Sequence, residues 1–206
     1  MEKMSTKDKI LYLLKRQSRL SVGELTKCLH ITDMAVRKHL SILEKEKLIY
    51  SVEVKQPIGR PIQKYILTKN AELLFPKSYE GLAVEFLKDI EAMYGEESIE
   101  QLFQNREKRL TNEYKVRLEN KSPIEKIKEL KTIQNEKGYM ADVAKIGTNK
   151  YELIEYNCPI LAVASEYKVA CHCETSLFQK VLQTEDVKRT SCKTEGNDHC
   201  RFLIGF

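Results

Sequence analysis

The six cysteines of this 206-residue chain are unevenly spread. Cys28 stands alone, while Cys158, Cys171, Cys173, Cys192 and Cys200 crowd the last 49 positions. In a secreted chain such crowding reads as a disulfide framework, and in a reducing compartment as metal binding or redox chemistry. Three or four thiolates converging from separate elements favour zinc or an iron–sulfur cluster. Structural zinc usually takes two short CxxC-type pairs, and this sequence has none. Cys171-His172-Cys173 is too tight for a routine zinc knuckle, and the other gaps are wide, with twelve residues between Cys158 and Cys171 and 28 between Cys171 and Cys200. Wide gaps suit a cluster seated in a folded pocket. The bland reading treats the cysteines as small buried hydrophobes.

These sulfurs need elements to bring them together. Cys158 lies in Asn157-Cys158-Pro159-Ile160, at a strand-to-helix junction. Strands are predicted at 140–146 and 150–156, joined by Gly147-Thr148-Asn149, a hairpin signal. Helical patches follow at 159–166 and 174–182, then a strand at 186–192, a turn at Glu195-Gly196-Asn197 and a last strand. Cys192 and Cys200 each lie four residues from Gly196. A symmetric hairpin therefore sets them opposite each other with Cβ atoms about 4.5 to 5.5 Å apart, close enough to share a metal and roughly in disulfide range. Cys200 has the parity of Phe202 and Ile204 and is expected on the apolar side.

Upstream, long helices are predicted over 78–94 and 97–118, and Ser122-Pro123-Ile124-Glu125 opens another. The 97–118 helix is mostly charged, with a sparse seam at Ile99, Leu102, Phe103, Leu110 and Tyr114. A narrow stripe of that kind suits a spine or a dimer contact.

The first 70 residues carry different chemistry. They hold 15 Lys/Arg against 7 Asp/Glu, an excess of +8, whereas the remainder holds 20 against 23, or −3. The whole net charge of +5 therefore sits in the first third, the pattern of a nucleic-acid-facing domain. Residues 7–16 form one helical stripe, Ser21-Val22-Gly23-Glu24 is a capping box for a second helix, and Thr32 caps a third. Strands at 48–54 and 63–67 close a hairpin around Lys55 to Pro61. Three helices and a two-stranded wing are a winged helix-turn-helix. Its third helix would enter the major groove, with Thr32, Asp33, Met34, Arg37, Lys38 and Ser41 as candidate DNA-binding residues. Arg60, between Gly59 and Pro61 at the wing tip, is placed to reach a minor groove or phosphates. Cys28 and His39 read as packing residues. Winged helices of this kind usually bind pseudo-palindromic double-stranded DNA as homodimers.

The expected fold class is α+β, with a winged helix-turn-helix DNA-binding domain at 1–70, a helical linker or dimerisation region at 71–136 and a Cys-rich α+β sensor domain at 137–206. No run approaches the roughly 20 apolar residues of a membrane span, and MEKMSTKDKI lacks the apolar core of a secretion signal. A cytoplasmic protein is expected. There is no nucleotide-binding glycine motif, no CxxC and no Ser/His/Asp grouping, so a regulator is expected rather than an enzyme.

Two sets of residues carry a more specific likeness. NCPILAVASEY, Cys171, ETSLFQKVL, VKRTSC and EGNDHCRFLI resemble the effector domain of SufR-like regulators, the iron–sulfur-cluster-responsive repressors of cluster-assembly operons. MAVRKHLSILEKEKLIY and GRPIQKYILT resemble the winged-helix domain of the same family, though that part is shared by many regulators. The resemblance implies a repressor holding a [4Fe–4S] or [2Fe–2S] cluster through Cys158, Cys171 and Cys200. Where some members have a further cysteine, this chain has Glu185. The fourth ligand therefore stays open between Cys192, Cys173, Glu185 and none, with Cys192 favoured. The rival reading is a winged-helix regulator of a small organic ligand, with structural zinc or no metal at the cysteines.

Overall fold

A computed structural model describes residues 4–57 and 59–206. Met1–Lys3 and Ile58, the latter in the predicted wing tip, lie outside the described residues. The chain divides into two compact units, Met1–Lys77 and Ser78–Phe206.

The first unit holds α1 (Thr6–Gln17), β1 (Leu20–Ser21), α2 (Val22–Leu29), α3 (Asp33–Lys45), β2 (Ile49–Val54) and β3 (Ile62–Leu67). Capping explains the helix starts. The Ser5 and Ser21 hydroxyls accept the N–H groups of Asp8 and Glu24, whose carboxylates reach back, and the Thr32 hydroxyl accepts the Ala35 N–H. Ile10, Leu14, Leu25, Val36, Leu40, Leu43 and Ile49 are buried together as one core. The strands pair antiparallel in the order β1-β3-β2, with Val54 opposite Ile62 at the wing end. Thr68 caps only a 3-10 turn, Ala71–Leu74, rather than a long helix. Pro76 forces Phe75 into extended backbone and stops it. Cys28 is exposed, not packed, because it lies about a quarter-turn away from the Val22, Leu25 and Leu29 stripe of α2.

Glu24 gives this unit an acid-sensitive cap. Hydrogen bonds from the Ser21 N–H and hydroxyl hold its carboxyl down to about 2, outweighing burial and aided by Lys64. The folded value lies below the ordinary 4.5, so the carboxylate's contribution is complete above that pH and fades as pH falls toward 2. Glu24→Gln is expected to flatten the acid loss of α2, read by amide exchange. An unchanged acid profile would reassign the loss to other groups.

The second unit is a two-layer α+β domain. It contains α4 (Tyr79–Tyr94), α5 (Glu96–Leu118), α6 (Pro123–Glu136), β4 (Ala141–Gly147), β5 (Lys150–Glu155), α7 (Leu161–Glu166), α8 (Val169–Leu182), β6 (Val187–Ser191) and β7 (Cys200–Gly205). All strand pairs are antiparallel in the order β4-β5-β7-β6. Tyr151, Leu153, Phe202 and Ile204 face inward and pack under Leu130, Ile133, Leu177, Phe178 and Val181 of the helices. The helices of 78–136 thus belong to the same unit as the sheet. The apolar seam of α5 is not a free spine. Ile99, Phe103, Tyr114 and Leu118 are buried within their own chain, against α8, α6 and α4. It is α4, separated from α5 by Gly95 at φ +84°, that has no fully buried residue.

Candidate metal centre and DNA-binding face

Helix α8 begins at Val169, five residues before the predicted patch, so Cys171 and Cys173 both lie on it. Residues two apart on a helix point about 200° from each other. Cys171 therefore turns toward the β6–β7 connection, where its Sγ lies 3.8 Å from that of Cys192. Cys173 turns the other way, into the cluster formed with Ile99, Phe103 and Ala170, beside Glu107. Cys173 is thereby removed from the candidate ligands. Glu185 is removed as well, because it is exposed before β6, seven residues and roughly 23 Å of extended chain from Cys192.

A β-bulge brings Cys192 to the site. Arg189 pairs with Phe202, but the next recorded pair is Ser191 with Arg201, so one extra residue sits in β6. In a regular strand Arg189 and Cys192, three residues apart, would fall on opposite faces, since side chains alternate. With the bulge, both face inward, and continuing the Ser191–Arg201 register sets Cys192 against Cys200. The 3-10 turn Lys193–Glu195 and Gly196, at φ +87°, then close the connection. Cys200 is buried beside Phe202, and its sulfur accepts the Lys193 N–H at 3.4 Å. Cys158 enters from the loop after β5, where Asn157 donates through Nδ2 to the Gly138 carbonyl and through its backbone N–H to that of Tyr139.

Arg189 lies among three of these thiols, those of Cys171, Cys192 and Cys200. Its Nη1 donates to Cys192 Sγ at 3.5 Å, its Nη2 to Glu174 Oε2 at 2.7 Å, and its guanidinium lies 4.7 Å from the Phe202 ring centre. The surroundings split the thiols. Burial pushes Cys158 up to about 11 and Cys200 up to about 12, and raises Cys171. Cys192 is also buried, yet the hydroxyl and N–H of Thr194 and the charge of Arg189 bring it below its ordinary value. A buried acid flanks the site. Glu155 pairs directly with Cys200 across β5 and β7, its Oε1 accepts from Gln134 Nε2 at 2.8 Å, and its Oε2 has no partner among the described residues. Burial and the neighbouring Glu174 raise it well above the usual carboxylate range.

The chemistry of this donor set fits a thiolate-bound metal group. Metal–sulfur bonds of about 2.3 Å around a tetrahedral centre place two ligand sulfurs about 3.8 Å apart, which is the Cys171–Cys192 separation. Among the described residues no three His, Cys, Asp or Glu groups stand close enough to hold one ion. Arg189, Glu174, Glu155 and Thr194 were not singled out from sequence. Glu155 could have been, since it has the inward parity of Tyr151 and Leu153 and an acid there needs a reason.

On the first unit, Met34, Arg37, Lys38 and Ser41 form an exposed side of α3. Thr32 and Asp33 have local partners, the former capping Ala35 and the latter accepting from the Thr26 hydroxyl at 2.8 Å. Arg60 is exposed in the wing. Among the described residues no helix is long and apolar enough to cross a membrane.

Residues 5–51 match the family model described as bacterial regulatory protein, arsR family. No curated protein matches the chain. Among solved structures, MepR from a multidrug-resistant S. aureus clinical isolate is 23% identical, with 53% of this chain and 78% of that one covered at a TM-score of 0.31. The adhesin competence repressor AdcR of Streptococcus pyogenes is 22% identical, covering 65% and 76% at 0.30. Bacillus subtilis PadR in complex with operator DNA is 14% identical, covering 84% and 98% at 0.30. The first domain is that of a helix-turn-helix transcriptional regulator, a DNA-binding class and not an enzymatic one.

Proposed function

We propose that this chain is a repressor in which Cys158, Cys171, Cys192 and Cys200 hold an iron–sulfur cluster whose occupancy governs the grip of the first domain on DNA. The observation that carries this reading is the gathering of Cys171 of α8 and of Cys192 and Cys200 on the two sides of the β6–β7 connection around Arg189, with Cys158 of the loop after β5 near Cys171 and one sulfur pair at 3.8 Å. A polynuclear cluster spaces its ligands more widely than one ion does, which suits a site with one close pair and two outlying sulfurs. When bound, the cluster supplies an oxidant-sensitive cross-link between those stretches. The chain supplies the rest. Arg189 offsets thiolate charge, and the Lys193 N–H steadies the Cys200 sulfur. A group bound in only one arrangement of the C-terminal domain shifts the population toward that arrangement by its differential affinity.

The test is iron and acid-labile sulfide analysis of anaerobically isolated protein, with selection of bound duplexes before and after chelation. Stoichiometric iron and sulfide, with DNA affinity that changes on chelation, are expected. A colourless protein with stoichiometric zinc would overturn the reading in favour of a structural metal.

On the DNA side, Arg37 is proposed to reach a base edge from α3. Arg37→Ala is expected to weaken binding to the selected duplex by about 1 to 3 kcal/mol and relax one position of its sequence. Unchanged affinity would strike Arg37 from the contacts. The protein is further proposed to bind as a homodimer through α4. Its exposed Tyr79, Leu82, Phe86 and Met93 follow one another at spacings of three, four and seven, a stripe that can face its own copy across a two-fold axis. Phe86→Lys is expected to halve the mass measured by light scattering. A dimer of unchanged mass would move the interface elsewhere.

A further inference from the structure

The geometry points to Cys171 and Cys192 as an oxidative modification site: a dithiol that hydroperoxides close into a disulfide. Their sulfurs are 3.8 Å apart, so about 1.8 Å of approach reaches the roughly 2.05 Å of a disulfide bond. The two cysteines sit on different elements, α8 and the end of β6, and the turn that follows Cys192 gives room for that approach. Cys171 is half-buried and Cys192, 3.8 Å from it, is buried, so a small oxidant must come to Cys192 past Cys171. The flanking groups favour attack from Cys192. Arg189 Nη1 lies 3.5 Å from its sulfur and the Thr194 hydroxyl 3.2 Å away, so negative charge developing there meets a cation and a donor. Thr194 is also 3.9 Å from Cys171, bridging the pair. The sulfur of Cys200 is engaged differently, by the Lys193 N–H.

The reaction balances with hydrogen peroxide as oxidant. The Cys192 sulfur attacks one peroxide oxygen and the O–O bond breaks. The departing oxygen leaves as water with the thiol proton, and Cys192 is left as a sulfenic acid. The Cys171 sulfur then attacks the Cys192 sulfur, the S–S bond forms, the S–O bond breaks, and a second water carries off the Cys171 proton. Two electrons pass from the two sulfurs to the peroxide, and two thiols become one disulfide.

Formation of this bond stands on geometry alone, whereas its consequence rests on the cluster reading: the two sulfurs cannot ligate iron while bonded to each other. Oxidation would then hold the chain in its cofactor-free form until a thiol reductant reopens it.

The experiment uses the full chain, reduced and stripped of metal, treated with one equivalent of hydrogen peroxide and then alkylated. Peptide mapping is expected to show the Cys171 and Cys192 peptides joined with the loss of two hydrogens, and Cys158 and Cys200 alkylated. In Cys171→Ser, dimedone is expected to trap a sulfenic acid on Cys192. Equal alkylation of all four cysteines, or a link between a different pair, would overturn the proposal. Reconstitution with iron and sulfide separates the two ideas. If the reduced chain takes up iron and the oxidised chain does so only after dithiothreitol, both stand. A linked pair in a chain that takes up no iron even when reduced leaves the modification site standing and the cluster reading fallen. Iron uptake by the still-oxidised chain overturns the regulatory consequence.

Discussion

Cys192→Ala is expected to leave anaerobically isolated protein without retained iron, whereas Cys173→Ala retains the wild-type content. The two residues differ in direction rather than in type or depth. Both are buried, but Cys192 meets Cys171 and Arg189, while Cys173 packs beside Glu107 and among the apolar residues between α5 and α8. Removing Cys192 deletes one edge of the ligand set and leaves Arg189 facing an alanine methyl. Metal-bound thiolates act as a set, so loss of one sulfur from a close pair reduces retention far more than one ordinary contact would. Iron analysis beside a far-ultraviolet spectrum checks that the fold is kept. Wild-type iron in Cys192→Ala, or its loss in Cys173→Ala, would reassign the fourth ligand.

The largest expected effect on stability comes from Phe202→Ala. Phe202 is fully buried, stacks edge-on against Phe178 at 4.9 Å and carries the Arg189 guanidinium on its other contacts. Truncating such a ring costs about 3 to 5 kcal/mol. The loss is expected to fall on the second unit alone, because residues 1–77 have their own core around Leu25, Leu40 and Leu43. Calorimetry should show one transition lowered by on the order of 10 °C or more and another unmoved. Equal lowering of both would mean the two units unfold as one. Because Arg189 rests on this ring, iron retention is expected to weaken as well, even though Phe202 offers no ligand atom.

Much of this architecture was legible in residue order. The Ser21–Glu24 box, Thr32 and Ser122-Pro123 mark helix starts by local hydrogen-bonding chemistry, which needs no tertiary context. Counting outward from Gly196 sets Cys192 opposite Cys200, the position to which the last β6–β7 pair, Ser191 with Arg201, leads. The start of α8 was hidden for a physical reason: Lys168 stands at its cap position and supplies no side-chain capping bond, so nothing local announces Val169. That single omission left Cys173 among the candidates for the fourth ligand, since the opposed directions of Cys171 and Cys173 exist only on a helix. The role of α5 was equally hidden. Its sparse seam looks free until Leu177, Phe178 and the sheet are folded beneath it. Glu155, Glu174 and Arg189 come together across β5, α8 and β6, and no spacing in the sequence reports on that meeting.

The extra residue in β6 sets the meaning of distance along this chain. Losing the bulge while keeping Thr190, so that β6 paired regularly with β7, would remove no sulfur, charge or ring, yet it would turn Cys192 outward while Arg189 stayed within. A homologue could thus keep each cysteine and still be blind. Chains of this kind are better sorted by whether the step from arginine to cysteine is even, or odd with a bulge, than by their tally of thiols.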